Sequence, residues 1–284
     1  MKFEKWQALG NDYIVVERND LPFELTAGRV ERICRAHLGV GSDGILLLSP
    51  SDEPGLVADV RIFNPDGSEA ELSGNGVREA VMYLRRSGMA SADEFAVRTP
   101  AGVIRPKIVS ATECEVDMGR AATTSKDFPS GPPDGRGSVQ VAAAELEFQH
   151  VSIGNPQCAI EIPGTRDDLL ALDLPAIGPA IEADARFPNR TNVSFWQRTA
   201  DDRIVARIFE RGVGETLSSG TGATGAAVAA FLRGAASPLV VELDGGELTV
   251  QVDGELNITL TGWAKPVYAG VLSPELVTEL EAIR

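Results

Sequence analysis

The sequence predicts an α+β fold built as two related lobes, each a set of strands around one helix. The first observation is a near-duplicated motif: N-P-D-G-S-E-A-E-L-S-G-N-G from Asn64 to Gly76, and E-R-G-V-G-E-T-L-S-S-G-T-G from Glu210 to Gly222. Each copy brings a serine, Ser73 or Ser219, to the head of a glycine-rich helix start. The second observation is that the likeness continues past the motif. An apolar helical run follows each serine and closes on a glycine 15 residues later, Gly88 in one copy and Gly234 in the other.

The remaining elements repeat in the same order. Upstream, G-N-D at Gly10 to Asp12 is matched by G-N-P at Gly154 to Pro156, with 62 residues from Asn11 to Ser73 and 64 from Asn155 to Ser219. Downstream, F-A-V-R-T-P-A-G-V-I-R predicts two strands turning at Gly102, and L-V-V-E-L-D-G-G-E-L-T-V predicts two turning at Gly246. The segments E-V-D-M-G, ending at Gly119, and I-T-L-T-G, ending at Gly262, close the two sets. A period this long denotes a duplicated domain and not a solenoid of short repeats. The division expected is an N-terminal lobe over 1–120, a junction over 121–140, a C-terminal lobe over 141–265, and a tail over 266–284 that returns to the N-terminal lobe. The Thr123 to Gly137 stretch, rich in Pro and Gly, reads as a surface loop at the junction.

Length and composition fit two cores: 284 residues, 43% of them hydrophobic. A formal net charge of −15 argues against a nucleic-acid partner, because a phosphate backbone calls for a clustered basic face. No apolar run approaches the roughly 18 residues of a membrane span, and M-K-F-E-K-W lacks the apolar core of a signal peptide, so a cytoplasmic protein with no membrane partner is expected. Cys34, Cys114 and Cys158 make an odd count without metal-ligand spacing and read as free thiols in a reducing compartment. His37 and His150, the only histidines, stand far apart in the sequence and argue against a histidine-rich metal site.

A helix that begins directly after S-G-x-G presents unpaired N–H groups and the positive end of its dipole, and its glycines admit a ligand close to the backbone. Each motif is therefore a candidate cradle for a carboxylate or phosphate. If the pseudo-symmetry brings both helix starts to one cleft, a single anion is held from two sides. The plain alternative is that Ser73 and Ser219 are helix N-caps and nothing more.

The ordered motifs G-N-D-Y, H-L-G-V-G-S-D-G, F-N-P-D-G-S-E, S-G-N-G-V-R, G-N-P-Q-C, F-P-N-R-T-N, E-R-G-V-G-E-T and S-G-T-G-A resemble those of diaminopimelate epimerase, from Phe3 to about Gly270. The resemblance implies two lobes, each a β-barrel-like sheet wrapped around a central helix. It also implies cofactor-independent inversion of an amino-acid α-carbon by two bases, one on each face, with no pyridoxal phosphate and no metal. The bases fall at Ser73 and Ser219. The reacting carboxylate falls to the N–H groups of Gly74, Asn75, Gly220 and Thr221. Asn64, Asn155, Asn192 and Arg211 match residues that hold the distal amino-acid group, and Asn11 and Glu210 match further site residues. The partner implied is a small amino-acid substrate with an amino and a carboxylate group at its distal end, and a homodimer is left open.

The departures from the family pattern fall at the chemistry. Both catalytic cysteine positions are serine, Gln157 replaces a histidine, Gly44 replaces a glutamine, Thr224 replaces a common cysteine, and Glu79 is a further change. A thiol can be brought to titrate near neutrality at a helix N-terminus, whereas a serine hydroxyl is not an ordinary titrating group, so proton abstraction by serine requires a neighbouring base. Glu71, Glu79, Glu210 and Glu215 are the candidates, with Glu210 favoured by its family counterpart and Glu79 about one and a half turns beyond Ser73. Three readings stand: an amino-acid epimerase or racemase using serines, a different proton-transfer isomerase on this fold, and a binder that keeps the cradle without the bases. The other prominent residues take structural readings: Trp6, Trp196 and Trp263 as packing, Asp43 and Asp66 as turn residues, and Cys158 as a buried small hydrophobe.

Overall fold

A computed structural model describes residues 1–71, 73–141 and 144–283 and divides them into two compact units, one of Met1–Val116 with Gly262–Arg284, the other of Asp117–Thr261. Leu72 of the first motif, Ala142 and Ala143 at the head of the expected C-terminal lobe, and Arg284 at the end of the expected tail lie outside the described residues.

The first unit opens with strands β1 (Lys2–Ala8) and β2 (Asn11–Glu17), helix α1 (Ala27–Cys34), and strands β3 (Ile45–Pro50), β4 (Ala58–Phe63) and β5 (Glu69–Ala70). Helix α2 (Gly74–Ser87) follows, then β6 (Val97–Thr99), β7 (Gly102–Ile104), β8 (Lys107–Ile108) and β9 (Glu113–Arg120), the last running into the second unit. The second unit holds β10 (Arg136–Val141), β11 (Ala144–Ser152), β12 (Pro156–Glu161), α3 (Arg166–Leu170), α4 (Leu174–Glu182), β13 (Asn192–Ala200), β14 (Arg203–Glu210), β15 (Gly214–Thr216), α5 (Gly220–Leu232), β16 (Leu239–Leu243), β17 (Gly246–Val252) and β18 (Asn257–Trp263). The chain then returns to the first unit with β19 (Lys265–Val271) and α6 (Pro274–Ala282).

The two units share one topology. In the first, the sheet runs β19-β1-β2-β3-β4-β6-β7, with β5 on β4; in the second, β10-β11-β12-β13-β14-β16-β17-β18, with β15 on β14. The pairing senses agree at each step: β2 with β3 and β12 with β13 are parallel, β4 with β6 and β14 with β16 are parallel, and the steps between are antiparallel. Strand β19, late in the chain, lies beside β1 as β10 lies beside β11 in the second unit. Strand β10 begins at Arg136, inside the stretch read from the sequence as a loop, because this segment pairs antiparallel with β11, Arg136 opposite Gln149 and Val139 opposite Leu146.

Each central helix is the core of its unit. Helix α5 (G-T-G-A-T-G-A-A-V-A-A-F-L) is small and apolar all round, and it packs against β11, β12, β13, β14, β16 and β17, the environment such a sequence requires. Helix α2 packs against β1, β2, β3 and β19 and turns Arg85 and Arg86 to its last turn, where the dipole favours cations, before Gly88 ends it at φ 82°. Separate apolar clusters fill the units: Phe3, Ile14, Phe23, Ile33, Ile45 and Leu280 in the first, Phe148, Ile160, Leu174, Phe187, Phe195 and Phe209 in the second. Trp6 and Trp196 are buried, and Trp263 lies under the Lys265 ammonium. The two-residue β1–β2 turn holds Leu9 at φ 54° and Gly10 at φ 84°, the positive pair that a tight hairpin demands, and it delivers Asn11 to the head of β2.

Candidate active site

Both serines cap their helices. Ser73 Oγ accepts the Gly76 N–H at 3.1 Å and Ser219 Oγ accepts the Gly222 N–H at 3.2 Å, while the first backbone bonds run from Val77 to Ser73 and from Ala223 to Ser219. The N–H groups of Gly74, Asn75, Gly220 and Thr221 thus lie ahead of the first helical bond, at the positive end of each dipole. Capping alone does not account for the two hydroxyls, because each makes a further hydrogen bond that a cap does not need.

In the second unit, Ser219 Oγ donates to Glu210 Oε2 at 2.9 Å, and Glu210 Oε1 accepts from Thr216 Oγ1 at 2.8 Å. Glu210 ends β14, and the short hairpin to β15 folds the chain back so that carboxylate and serine meet. Burial pushes the Glu210 carboxyl above its ordinary range, and the bonds from Thr216 and Ser219 offset part of that shift. A carboxylate with a raised pKa, bonded to a hydroxyl, is the arrangement that activates the hydroxyl as a proton acceptor. Of the other carboxylates considered, Glu215 pairs with Arg207 and Glu71 is exposed. Glu79 is 0% exposed, and burial holds it well above the carboxylate range against the pull of Arg78.

The amides of the second unit form two groups. Asn155 Nδ2 donates to Thr221 Oγ1 at 3.2 Å, and Gln157 Nε2 donates to Asn155 Oδ1 at 2.8 Å. A Cβ at Gly225 would come 2.8 Å from Gln157 Cβ, so the glycine is what lets Gln157 lie against α5. The second group joins Asn192, whose Oδ1 accepts the Arg211 N–H at 2.9 Å, to Arg211, whose Nη1 donates to the Asn189 carbonyl at 2.9 Å. Glu182, which the sequence reading passed over, accepts the Gly212 N–H at 2.7 Å and pairs with Arg190 at 2.8 Å, steadying the turn that carries Arg211. The Arg211 guanidinium is exposed and makes no ion pair among the described residues, which leaves it able to take a ligand carboxylate.

In the first unit, Tyr13 Oη donates to Ser73 Oγ at 3.2 Å. Asn75 Nδ2 donates to Asn11 Oδ1 at 3.3 Å, and Arg78 Nη2 holds Asn75 Oδ1 at 2.5 Å. Asp43, read from the sequence as a turn residue, anchors Asn11: its Oδ2 accepts Asn11 Nδ2 at 2.9 Å and the Asp12 N–H at 3.0 Å. Asn64 stands at the end of β4, where its Nδ2 donates to Ser68 Oγ at 2.9 Å. Tyr13 was visible in G-N-D-Y but carried no role there, since nothing in the spacing says where its phenol ends.

The three cysteines are free and buried, and burial raises all three thiols, Cys34 and Cys114 to about 12. Burial thus disfavours the thiolate at each of the three. No described helix is long and apolar enough to cross a membrane.

The sequence model of the diaminopimelate epimerase family matches residues 3–124 and 149–267. Diaminopimelate epimerase 2 of Nostoc sp. is 37% identical, with 97% of each chain covered. The diaminopimelate epimerase of Pelotomaculum thermopropionicum is 38% identical over 95% of this chain and 98% of its own. Among solved structures, a PhzF-family phenazine biosynthesis protein of Bacillus anthracis superposes with a TM-score of 0.69 at 19% identity, covering 96% of this chain and 99% of its own. A probable proline racemase of Agrobacterium radiobacter superposes at 0.67 and 15%, covering 97% and 95%. At these identities the structural matches speak to the fold.

Proposed function

The chain belongs to the diaminopimelate epimerase family, and from that premise we propose that it is a cofactor-independent isomerase that inverts an α-carbon of diaminopimelate, with Ser73 and Ser219 each serving one face. The single observation that carries the reading is the Ser219–Glu210 hydrogen bond of 2.9 Å, because it supplies the base that serine lacks on its own. The helix-start N–H groups of Gly74, Asn75, Gly220 and Thr221 bind the reacting carboxylate and stabilise the negative charge that develops beside it. Asn64, Asn155, Asn192 and Arg211 hold the distal amino and carboxylate groups, Arg211 as the cation for the carboxylate, and Asn11 is a further site residue.

Proton abstraction is the step this reading must explain. Glu210, raised by burial, accepts the Ser219 proton as the serine oxygen takes the substrate's α-proton, and the opposite face is reprotonated from Ser73. Solvent deuterium supplies the test. Incubation with each diaminopimelate stereoisomer in heavy water, followed by NMR, is expected to show deuterium entering the α-position together with interconversion of LL and meso forms. Absence of both, in a chain that binds diaminopimelate, overturns catalysis in favour of binding alone.

A second reading, proton transfer on a different substrate, is favoured by one feature: the Tyr13 ring takes up space beside Gly44, where the family resemblance expects a glutamine side chain. The same heavy-water experiment on a panel of amino acids separates the two. We also propose a cytoplasmic enzyme, supported by three unpaired cysteines, and a homodimer, supported by edge strand β19, where Val267, Tyr268 and Val271 are exposed.

A further inference from the structure

The two copies of the motif put different residues behind their serines. The residue nine positions before the serine is Glu210 in one copy and Asn64 in the other. Glu210 hydrogen-bonds Ser219, whereas Asn64 hydrogen-bonds Ser68, and among the described residues no carboxylate hydrogen-bonds Ser73. What reaches Ser73 is the phenol of Tyr13, a side chain only 5% exposed. Its ring occupies the space a side chain at residue 44 would fill, since a Cβ there would lie 2.6 Å from Tyr13 Cε1. The matching residue of the second unit, two after the asparagine of its G-N pair, is Gln157, which turns to Asn155.

The hydrogen bonds therefore run in opposite senses. Ser219 Oγ receives one N–H and gives its own proton to a carboxylate. Ser73 Oγ receives two donors, Gly76 N–H and Tyr13 O–H, which leaves its own proton directed elsewhere. We propose that Tyr13 is the proton source behind Ser73, a positioning residue that makes Ser73 the acid of the reaction while Glu210 makes Ser219 the base. This rests on the epimerase reading above.

The protons balance. The α C–H bond breaks, its proton goes to Ser219 Oγ, and the Ser219 hydroxyl proton goes to Glu210. The electron pair left on carbon takes the Ser73 hydroxyl proton on the other face, and Tyr13 refills Ser73. One C–H bond is broken and one formed, Glu210 ends neutral, and Tyr13 ends as a phenolate, the form from which the reverse reaction starts. A phenol titrates near 10 and a serine alkoxide far beyond the ordinary range, so the charge rests better on Tyr13 than on Ser73. The nearby Glu79 carboxyl is buried and feels Arg78, which favours its charged form, and Asp12 and Asp43, which oppose it.

Tyr13→Phe keeps the ring beside Gly44 and removes only the hydroxyl. The variant is expected to fold as the parent does, to keep KM within about twofold, and to lose about 10- to 100-fold in kcat, with the basic limb of the pH profile displaced. Parent-like kcat and pH profile in Tyr13→Phe overturn the proposal. A parent enzyme that exchanges no α-proton overturns the epimerase reading instead. In that event the phenol itself still decides: the Tyr13 ring, followed by NMR of 13C-labelled tyrosine, is expected to titrate at a different pH in Ser73→Ala, and an identical titration overturns the Tyr13–Ser73 coupling.

Discussion

The Ser219 hydroxyl donates to the Glu210 carboxylate at 2.9 Å, across nine residues of chain that double back from the end of β14 to the head of α5. The contact depends on a hairpin, β14 to β15, in which Glu210 pairs with Gly214 and Gly212 sits at φ 79°. A side chain chosen for its charge is delivered by a turn chosen for its backbone. The same turn exposes Arg211, so base and proposed carboxylate ligand are placed by one piece of chain.

Removing that carboxylate tests the base directly. Glu210→Gln keeps the shape and a hydrogen-bond partner for Ser219, and is expected to lower α-proton exchange by about 10²- to 10⁴-fold while diaminopimelate binding persists. Exchange at the parent rate, measured in heavy water, shows that another group takes the proton.

Restoring thiols tests whether the rest of the machinery is intact. The double change Ser73→Cys with Ser219→Cys is expected to raise exchange on diaminopimelate and to give it a pH dependence reporting a thiol, because a helix N-terminus lowers a cysteine pKa. Each single change is expected to do little, since inversion needs a base on one face and an acid on the other. A folded double variant that binds diaminopimelate and exchanges no proton removes these two residues from the catalytic role.

Glu79 makes a prediction about stability and pH. Its folded pKa is raised above 4.5, so the folded chain keeps a proton that the unfolded chain releases. That contribution is fully present below about pH 4.5 and is lost as pH rises through the folded pKa. Glu79→Gln has no proton to lose, so its Tm relative to the parent is expected to rise as pH climbs from about 4.5 towards neutrality. A Tm difference that stays flat across that range would show Glu79 to be ionised in the folded chain.

Gly44 is expected to resist enlargement. A Cβ there would lie 2.3 Å from the Phe63 carbonyl oxygen as well as against the Tyr13 ring, and a backbone atom cannot rotate away. Gly44→Ala is expected to cost about 1–3 kcal/mol in denaturant unfolding. A loss within about 0.5 kcal/mol would show that β2 and β4 can part at this point.

Much of the fold and of the candidate site was legible in the sequence because duplication writes one pattern twice. Two serines, two glycine-rich helix starts and two asparagine-bearing turns at matched spacing announced two lobes and their central helices. The all-round apolar α5 could only be a buried helix. What the pattern could not show was where the copies differ in space. Asn64 and Glu210 occupy the same place in the repeat, yet only the β14–β15 hairpin decides that a carboxylate touches a serine. Tyr13 and Gln157 likewise correspond, but the missing side chain at Gly44, 31 positions along the chain from Tyr13, is what makes room for the ring whose phenol reaches Ser73. Periodicity is local and survives in one dimension. Hydrogen bonds between residues brought together by strand register do not, and those contacts, with the burial that raises Glu210 and Glu79, exist only once the sheet has wrapped its helix.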